Sequence, residues 1–239
     1  MDSTKRVMER RHFLKLGVTG AALLVAGSDL VWRVKQAQAG ELPSTNSEAL
    51  NPDAALQKLM EGNQRFTEHH PEYPDQSQAR LQEVAQAQHP FATILSCADS
   101  RVPAEIIFDQ GIGDIFDVRI AGNIATPEAL GSIEYAVALL NTPVLMVLGH
   151  ERCGAVTAAV KNEALPGEIG SFVKAILPAV DKVKGQSGDA IDNAVIANVS
   201  YQIEQLKRSS LLTERVESGK LKIVGGRYDL DTGRVKTIV

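Results

Sequence analysis

The stretch FATILS at residues 91–96 decides the fold, because it is a short apolar run that begins after Pro90 and leads into the polar stretch CADSR at residues 97–101. Further strand candidates lie at residues 115–120 and 144–148, and an amphipathic helix is predicted between them at residues 127–140. Continuous apolar strands that alternate with helices are typical of a parallel sheet covered on both faces. We therefore expect an α/β fold with a central, mainly parallel β-sheet of four to five strands flanked by helices.

The remaining elements continue this alternation toward both ends of the chain. Asn51 and Pro52 form a helix start, and apolar side chains then recur at helical spacing up to Phe66. A fourth strand is predicted at residues 221–228, and the turn DTG at 231–233 leads into a last, antiparallel strand at 235–239. Further helices are predicted at residues 76–86, 155–160, 169–184 and 191–206.

The composition indicates a globular protein and excludes several function classes. The chain has 239 residues, of which 44% are apolar, 23% charged and 5% aromatic. Two cysteines are too few for a disulfide framework. The first 39 residues carry seven Lys or Arg against three Asp or Glu, whereas the rest carries 18 against 26. An acidic body argues against nucleic-acid and anionic-membrane binding, because attraction to phosphate needs a basic face.

The N-terminal segment has the features of an export signal. The stretch RRHFLK at residues 10–15 resembles the twin-arginine signal of bacteria, a weakly apolar run follows at 16–27, and AQA at 37–39 is a small-x-small cleavage site. We expect residues 1–39 to be a cleaved export signal, 40–50 a flexible new N-terminus and 51–239 a single domain. This organisation predicts an exported, periplasmic protein without a membrane anchor after cleavage. The alternative is a cytoplasmic protein with a basic N-terminus.

Both cysteines of the chain follow predicted strand ends, and a histidine stands three residues before the second. Cys97, His150 and Cys153 would give Zn²⁺ two thiolates and one imidazole, with a fourth position left open, as in catalytic zinc sites. Other interpretations remain open from the residues alone. Each cysteine can be a buried apolar filler, the two can form a disulfide in an exported protein, and His150 can be a hydrogen-bonded residue at a strand end.

The stretch CADSR at 97–101, followed by H-x-x-C-G at 150–154, resembles the zinc-binding pattern of β-class carbonic anhydrases. The segments DIFDVR at 114–119, AGN at 121–123 and GSIEYA at 131–136 also look like this family. The resemblance covers about residues 50–230. It implies an enzyme that converts CO₂ and water reversibly to bicarbonate and a proton by zinc-bound hydroxide, with one Zn²⁺ per chain.

The resemblance also implies roles for particular residues. Cys97, His150 and Cys153 match the zinc ligands, and Asp99 and Arg101 match the family's paired acid and arginine; a structural ion pair is the alternative for these two. The positions that match the family's substrate pocket are Gln88, Phe116 and Tyr135. Glu151 and Arg152 are expected to be solvated loop residues or interface contacts.

The resemblance further implies an assembly. The family forms homodimers or larger homo-oligomers, with active sites at the dimer interface and N-terminal helices packed on the partner. Two other functions remain open: a related zinc hydrolase acting on carbon disulfide or carbonyl sulfide, and a non-catalytic zinc–thiolate sensor.

Overall fold

A computed structural model describes residues 50–162 and 164–239. The predicted export signal at 1–39, and all of the predicted flexible segment except Leu50, lie outside these described residues. Within the part of the chain that is described, no helix is long and apolar enough to cross a membrane.

A five-stranded sheet forms the centre of the described domain, with strand order β2-β1-β3-β4-β5. The first four strands are parallel, and β5 runs antiparallel to β4. This confirms the predicted fold class and the reversal at the last strand. The strands are β1 (Ala92–Ser96), β2 (Ile115–Arg119), β3 (Val144–His150), β4 (Lys222–Tyr228) and β5 (Val235–Thr237).

Helices cover both faces of this sheet. The predicted start of the first helix is confirmed, because the Asn51 side chain accepts a hydrogen bond from the Ala54 N–H. Two short helices were not predicted. The helix Ala104–Ile107 has four residues, too few for a periodic pattern, and the helix Ser210–Glu217 is largely polar. The helices are α1 (Pro52–Thr67), α2 (Gln78–Val84), α3 (Ala104–Ile107), α4 (Pro127–Leu139), α5 (Gly154–Lys161), α6 (Gly170–Val183), α7 (Ala190–Leu206) and α8 (Ser210–Glu217).

Alternate residues of β3 supply two separate apolar layers. Met146 and Leu148 pack on the side of α1 and α3, whereas Leu145 and Val147 pack with α4, α7 and α8. Successive strand residues point to opposite faces, so a strand that is apolar throughout fills both layers. β3 extends two residues beyond its predicted end, and His150 is therefore its last residue rather than part of the following loop.

Glycines let α7 approach the sheet closely. A Cβ on Gly149 of β3 would lie 2.6 Å from Val199 Cγ2, and one on Gly225 of β4 would lie 2.7 Å from Val199 Cγ1. One valine of α7 therefore occupies the space that side chains would need at two strand positions.

The N-terminal helices differ in how they pack on their own chain. α1 buries Ala55 and Leu59 in the apolar layer beside β1 and β3, whereas α2 buries no residue. The predicted packing of these helices on a dimer partner stays a prediction.

Candidate metal centre

Three potential metal ligands meet at the carboxyl edge of the central strands, where open parallel sheets place their ligand sites. Cys97 directly follows β1, His150 ends β3, and Cys153 is the residue before α5. Because β1 and β3 are neighbours, the two cysteine sulfurs lie 4.0 Å apart although 56 positions separate the residues in sequence. One donor atom from each of the three residues lies within 4.8 Å of the others, and all three side chains are buried.

The cysteines are free thiols rather than a disulfide. A sulfur–sulfur distance of 4.0 Å is about twice a disulfide bond length. The structure thus contradicts the disulfide interpretation.

His150 presents a ring nitrogen to the two sulfurs. Its Nδ1 lies 2.9 Å from the carbonyl oxygen of Glu151, which can only accept, so Nδ1 carries the proton. The Nε2 atom is buried and has no hydrogen-bond partner among the described residues. A buried nitrogen without a partner is costly unless it binds something, and an imidazole whose other nitrogen donates to a carbonyl is oriented as metal-binding histidines are. The donor set therefore fits a metal ion such as Zn²⁺.

The two thiols affect each other's pKa. The pKa of Cys97 is lowered, chiefly by the hydrogen bond with Cys153 and also by the neighbouring His150 ring and the Gly122 N–H, while burial opposes this. The same sulfur–sulfur hydrogen bond, together with burial, raises the pKa of Cys153. A metal ligand must be a thiolate, and a divalent cation is what can hold two neighbouring thiolates together.

Gly122 supports the first cysteine. Its N–H lies 3.3 Å from Cys97 Sγ, and its carbonyl accepts a buried hydrogen bond of 2.8 Å from Asn198 of α7. Gly122 has a φ of +73°, and a Cβ there would lie 2.6 Å from Ile176 Cδ1. Glycine is therefore required at this turn. Gly122 was not predicted as a site residue, although it lies in a segment that resembles the family.

Asp99 and Arg101 form a two-point fork beside the ligands. Arg101 Nε donates to Asp99 Oδ1 at 2.9 Å and Nη2 donates to Oδ2 at 2.8 Å. The guanidinium of Arg101 holds the pKa of Asp99 well below its usual range, so the carboxylate is ionised. Asp99 Oδ2 lies 3.8 Å from His150 Nε2. An ionised acceptor is thus fixed at the rim of the donor set.

A second arginine, which was not predicted as a site residue, holds the loop that carries Cys97 and Asp99. Arg119, the last residue of β2, donates from Nε and Nη2 to the Cys97 carbonyl at 3.2 and 3.1 Å, and from Nη2 to the Asp99 carbonyl at 2.6 Å. Its position opposite Ser96 in the sheet register brings it there.

Glu151 is not the solvated loop residue that was expected as one alternative. Its side chain is only 18% exposed and pairs with Arg227 Nη2 at 2.6 Å, while an interface contact stays a prediction. Arg152 is 56% exposed and forms a bidentate pair with Asp231, which agrees with a solvated loop residue. The partner of Glu151 is 76 positions away, and no local sequence pattern signals that contact.

The structure does not bring the predicted substrate-pocket residues to this donor set within the chain. Gln88 is exposed in the connection between α2 and β1. Phe116 of β2 and Tyr135 of α4 lie together, with ring centroids 6.1 Å apart. Phe116 is paired with Thr93 near the start of β1, whereas Cys97 follows the end of that strand.

A Cys-His-Cys donor set with an ionised acceptor at its rim, at the carboxyl edge of a parallel sheet, defines a metal-dependent α/β enzyme. Residues 92–235 match the carbonic anhydrase family. The chain belongs to the carbonic anhydrases, and its relatives place it in their β class.

Individual relatives agree with this assignment. Carbonic anhydrase 2 of Mycobacterium tuberculosis is 45% identical over 189 residues, which cover 77% of this chain and 91% of that protein. The β-carbonic anhydrase of Coccomyxa, solved in complex with acetazolamide, has a TM-score of 0.61 and 27% identity over 77% of this chain and 86% of its own. A tetrameric β-carbonic anhydrase of Sordaria macrospora has a TM-score of 0.60 over 66% of this chain and 85% of its own; at 24% identity it supports the fold alone.

Proposed function

We propose that this protein is a zinc-dependent carbonic anhydrase that converts CO₂ and water reversibly to bicarbonate and a proton. The observation that carries the proposal is the buried donor set of Cys97, His150 and Cys153 with the Asp99–Arg101 fork at its rim. Family membership supports it independently.

The donor set would hold one Zn²⁺ per chain. Two sulfurs and one imidazole nitrogen suit zinc better than magnesium or calcium, and three protein ligands leave a position for water. When bound, zinc lowers the pKa of that water, which is the chemistry generally known from carbonic anhydrase zinc sites.

The residues around the donor set would then orient the reactants. Asp99 is ionised, so it accepts a hydrogen bond from the attacking oxygen and fixes its direction. Arg101 donates to both oxygens of Asp99, which would hold the carboxylate at the rim of the donor set. Arg119 holds the loop from Cys97 to Asp99 through its carbonyl groups.

Gln88, Phe116 and Tyr135 would complete the substrate pocket across a subunit interface of a homodimer or larger assembly. Two observations support this. β2 is an edge strand of the sheet, and Tyr135 is 45% and Leu139 67% exposed on the α4 face above it. Since the chain itself does not bring Phe116 and Tyr135 to its own donor set, a second copy would have to do so.

The proposal for localisation is export through the twin-arginine route with cleavage after Ala39, as the first 39 residues predict. Mass spectrometry of the secreted protein should give an N-terminus at Gly40. Cleavage there would remove Trp32, the only tryptophan, so secreted protein with tryptophan fluorescence would contradict the boundary.

Metal analysis with a hydration assay tests the enzymatic proposal. Protein produced with zinc should contain about one zinc per chain and hydrate CO₂, and Cys97→Ser and Cys153→Ser should each lose most of the zinc. Full zinc retention in both variants would refute the ligand assignment. Zinc-loaded wild type that is inactive with CO₂ but hydrolyses carbon disulfide or carbonyl sulfide would be a related hydrolase instead, and inactivity with all three substrates would indicate a sensor.

A further inference from the structure

Glu151 touches the metal centre through its backbone and an ion cluster through its side chain. Its carbonyl oxygen accepts from His150 Nδ1 at 2.9 Å, and its own N–H donates to the Tyr228 carbonyl of β4 at 3.0 Å. Its carboxylate accepts from Arg227 Nη2 at 2.6 Å and from the Leu230 N–H at 3.2 Å. Glu151, whose carbonyl contacts His150, is therefore held through both its backbone and its side chain.

Arg227 is the centre of that ion cluster. Its guanidinium is 18% exposed, donates from Nε to Asp192 Oδ1 at 2.7 Å and lies 3.8 Å from Asp229 Oδ2. Asp192 belongs to the first turn of α7, so Arg227 connects α7 and β4 to the residue that follows His150. An ion pair so little exposed keeps its geometry better than a solvated one, because water and salt screen it less.

The segment that carries the second and third donors is fixed at both ends by backbone hydrogen bonds, from Glu151 to Tyr228 and from Thr157 to Cys153, and ion pairs hold the turn between them. Arg152 lies in a left-handed turn, with a φ of +49°, between Glu151 and Cys153. Its own ion pair with Asp231 is exposed at both partners. Of the ion pairs at this turn, the contact between Glu151 and Arg227 is the less exposed one.

We propose that Glu151 and Arg227 are positioning residues for His150. Arg227 fixes the Glu151 carboxylate, and the fixed residue holds its carbonyl against His150 Nδ1, which sets both the tautomer and the direction of Nε2. Groups that orient a metal-binding histidine through its second nitrogen contribute about 10- to 100-fold to metal affinity or activity. The inference rests on the proposed zinc site.

The test compares metal binding in four single variants and one double variant with wild type. Glu151→Ala and Arg227→Met each remove one side of the contact, Glu151→Gln keeps an acceptor oxygen without the charge, and Asp231→Asn is the matched control that breaks the exposed pair in the same turn. Zinc affinity is measured by competition with a chromophoric chelator. The visible spectrum of Co²⁺-substituted protein reports the ligand geometry independently of catalysis.

We expect Glu151→Ala and Arg227→Met each to weaken zinc binding about 10-fold or more and to change the Co²⁺ spectrum. Glu151→Gln should have a smaller effect of the same kind, and Asp231→Asn should match wild type. The double variant of Glu151→Ala and Arg227→Met should bind zinc about as weakly as either single one, because the two residues act as one unit.

Unchanged zinc affinity and an unchanged spectrum in Glu151→Gln and Arg227→Met would overturn the proposal, even if both variants melt at lower temperature. Glu151→Gln has the shape of the native side chain and carries the test if Glu151→Ala does not fold. A wild-type protein that binds neither Zn²⁺ nor Co²⁺ would instead refute the zinc site itself.

Discussion

Asp99 and Arg101 are the residues of the metal centre through which chemistry can be altered without touching a proposed ligand. Their fork lies beside the donor set, and Arg101 is 51% exposed, so its substitution leaves the core intact.

Among single residues, the sequence predicted the three donors and the fork, because they lie in two short motifs. It missed Arg119, Gly122 and Arg227, whose contacts depend on strand register and on long-range packing.

Removing either side of the fork should lower activity while zinc is retained. Asp99→Asn takes away the ionised acceptor that orients the attacking oxygen, and we expect a loss of about 100-fold in kcat/KM. Arg101→Ala frees the Asp99 carboxylate and should lower kcat/KM by about 10-fold or more. CO₂ hydration and zinc content are measured in parallel, with Arg152→Ala as an exposed arginine control. Near-wild-type activity in both variants would make the fork a structural ion pair.

Asp117 should make stability depend on pH. Burial, together with the charge of Glu105, raises its pKa to about 6, and its side chain is 15% exposed. The folded protein therefore holds a proton that the unfolded chain releases near pH 4, so this residue's contribution to stability falls as pH rises from about 4 to 6 and is constant above.

Asp117→Asn mimics the protonated carboxyl and should remove that dependence. We expect the variant to gain up to about 3 kcal/mol over wild type at pH 7, and to lose this advantage by pH 4. Denaturant unfolding at pH 4, 5, 6 and 7 measures the difference, with Asp53→Asn in an exposed pair as control. A difference from wild type that does not vary with pH would contradict the raised pKa.

The contact of α7 with β3 and β4 shows what limits prediction of whole elements. Periodicity and strand ends predicted the sheet and its long helices to within a few residues. The short helices α3 and α8 have no comparable pattern, and the closeness of α7 to the sheet follows from glycines at positions 149 and 225 that meet one valine. Such complementarity is a property of two surfaces and is absent from either sequence segment alone.

Substitutions at this contact should be coupled. Gly225→Ala places a Cβ 2.7 Å from Val199 Cγ1 and should destabilise the protein by about 1–3 kcal/mol. Val199→Ala alone should cost about 2 kcal/mol through the cavity it leaves. The double variant should be more stable than the sum of the single effects by about 1 kcal/mol, because the new methyl group fills part of that cavity. If the effects of the two substitutions on the free energy of unfolding in urea simply add, the sheet adjusts elsewhere.

At the largest scale, the described domain presents an exposed apolar face beside its edge strand. Tyr135 and Leu139 lie on α4, and the Tyr135 ring is next to Phe116. The assembly proposed above would cover this face, since contiguous exposed apolar groups often mark an interface.

Leu139→Glu should therefore weaken the assembly. Sedimentation should show wild type as a dimer or larger and the variant as smaller at the same concentration, with a fall in CO₂ hydration and no loss of zinc. Val216→Glu on α8, which places the same charge at another exposed apolar position, should leave both properties unchanged. A wild-type protein that is monomeric and fully active would contradict the proposed shared pocket.

The strand order has a consequence for how the protein acquires its metal. Cys97 lies beyond β1, and the other two donors lie at and just after the end of β3; the segment between the cysteines contains β2 and α4. A nascent chain thus has at most a weak two-donor site until the β1–β3 pair has formed, and pairing of distant strands is slow. High-affinity zinc binding would then be a late folding event. During refolding in the presence of Co²⁺, the visible absorption of the metal-bound protein should appear later than the circular dichroism signal of the helices.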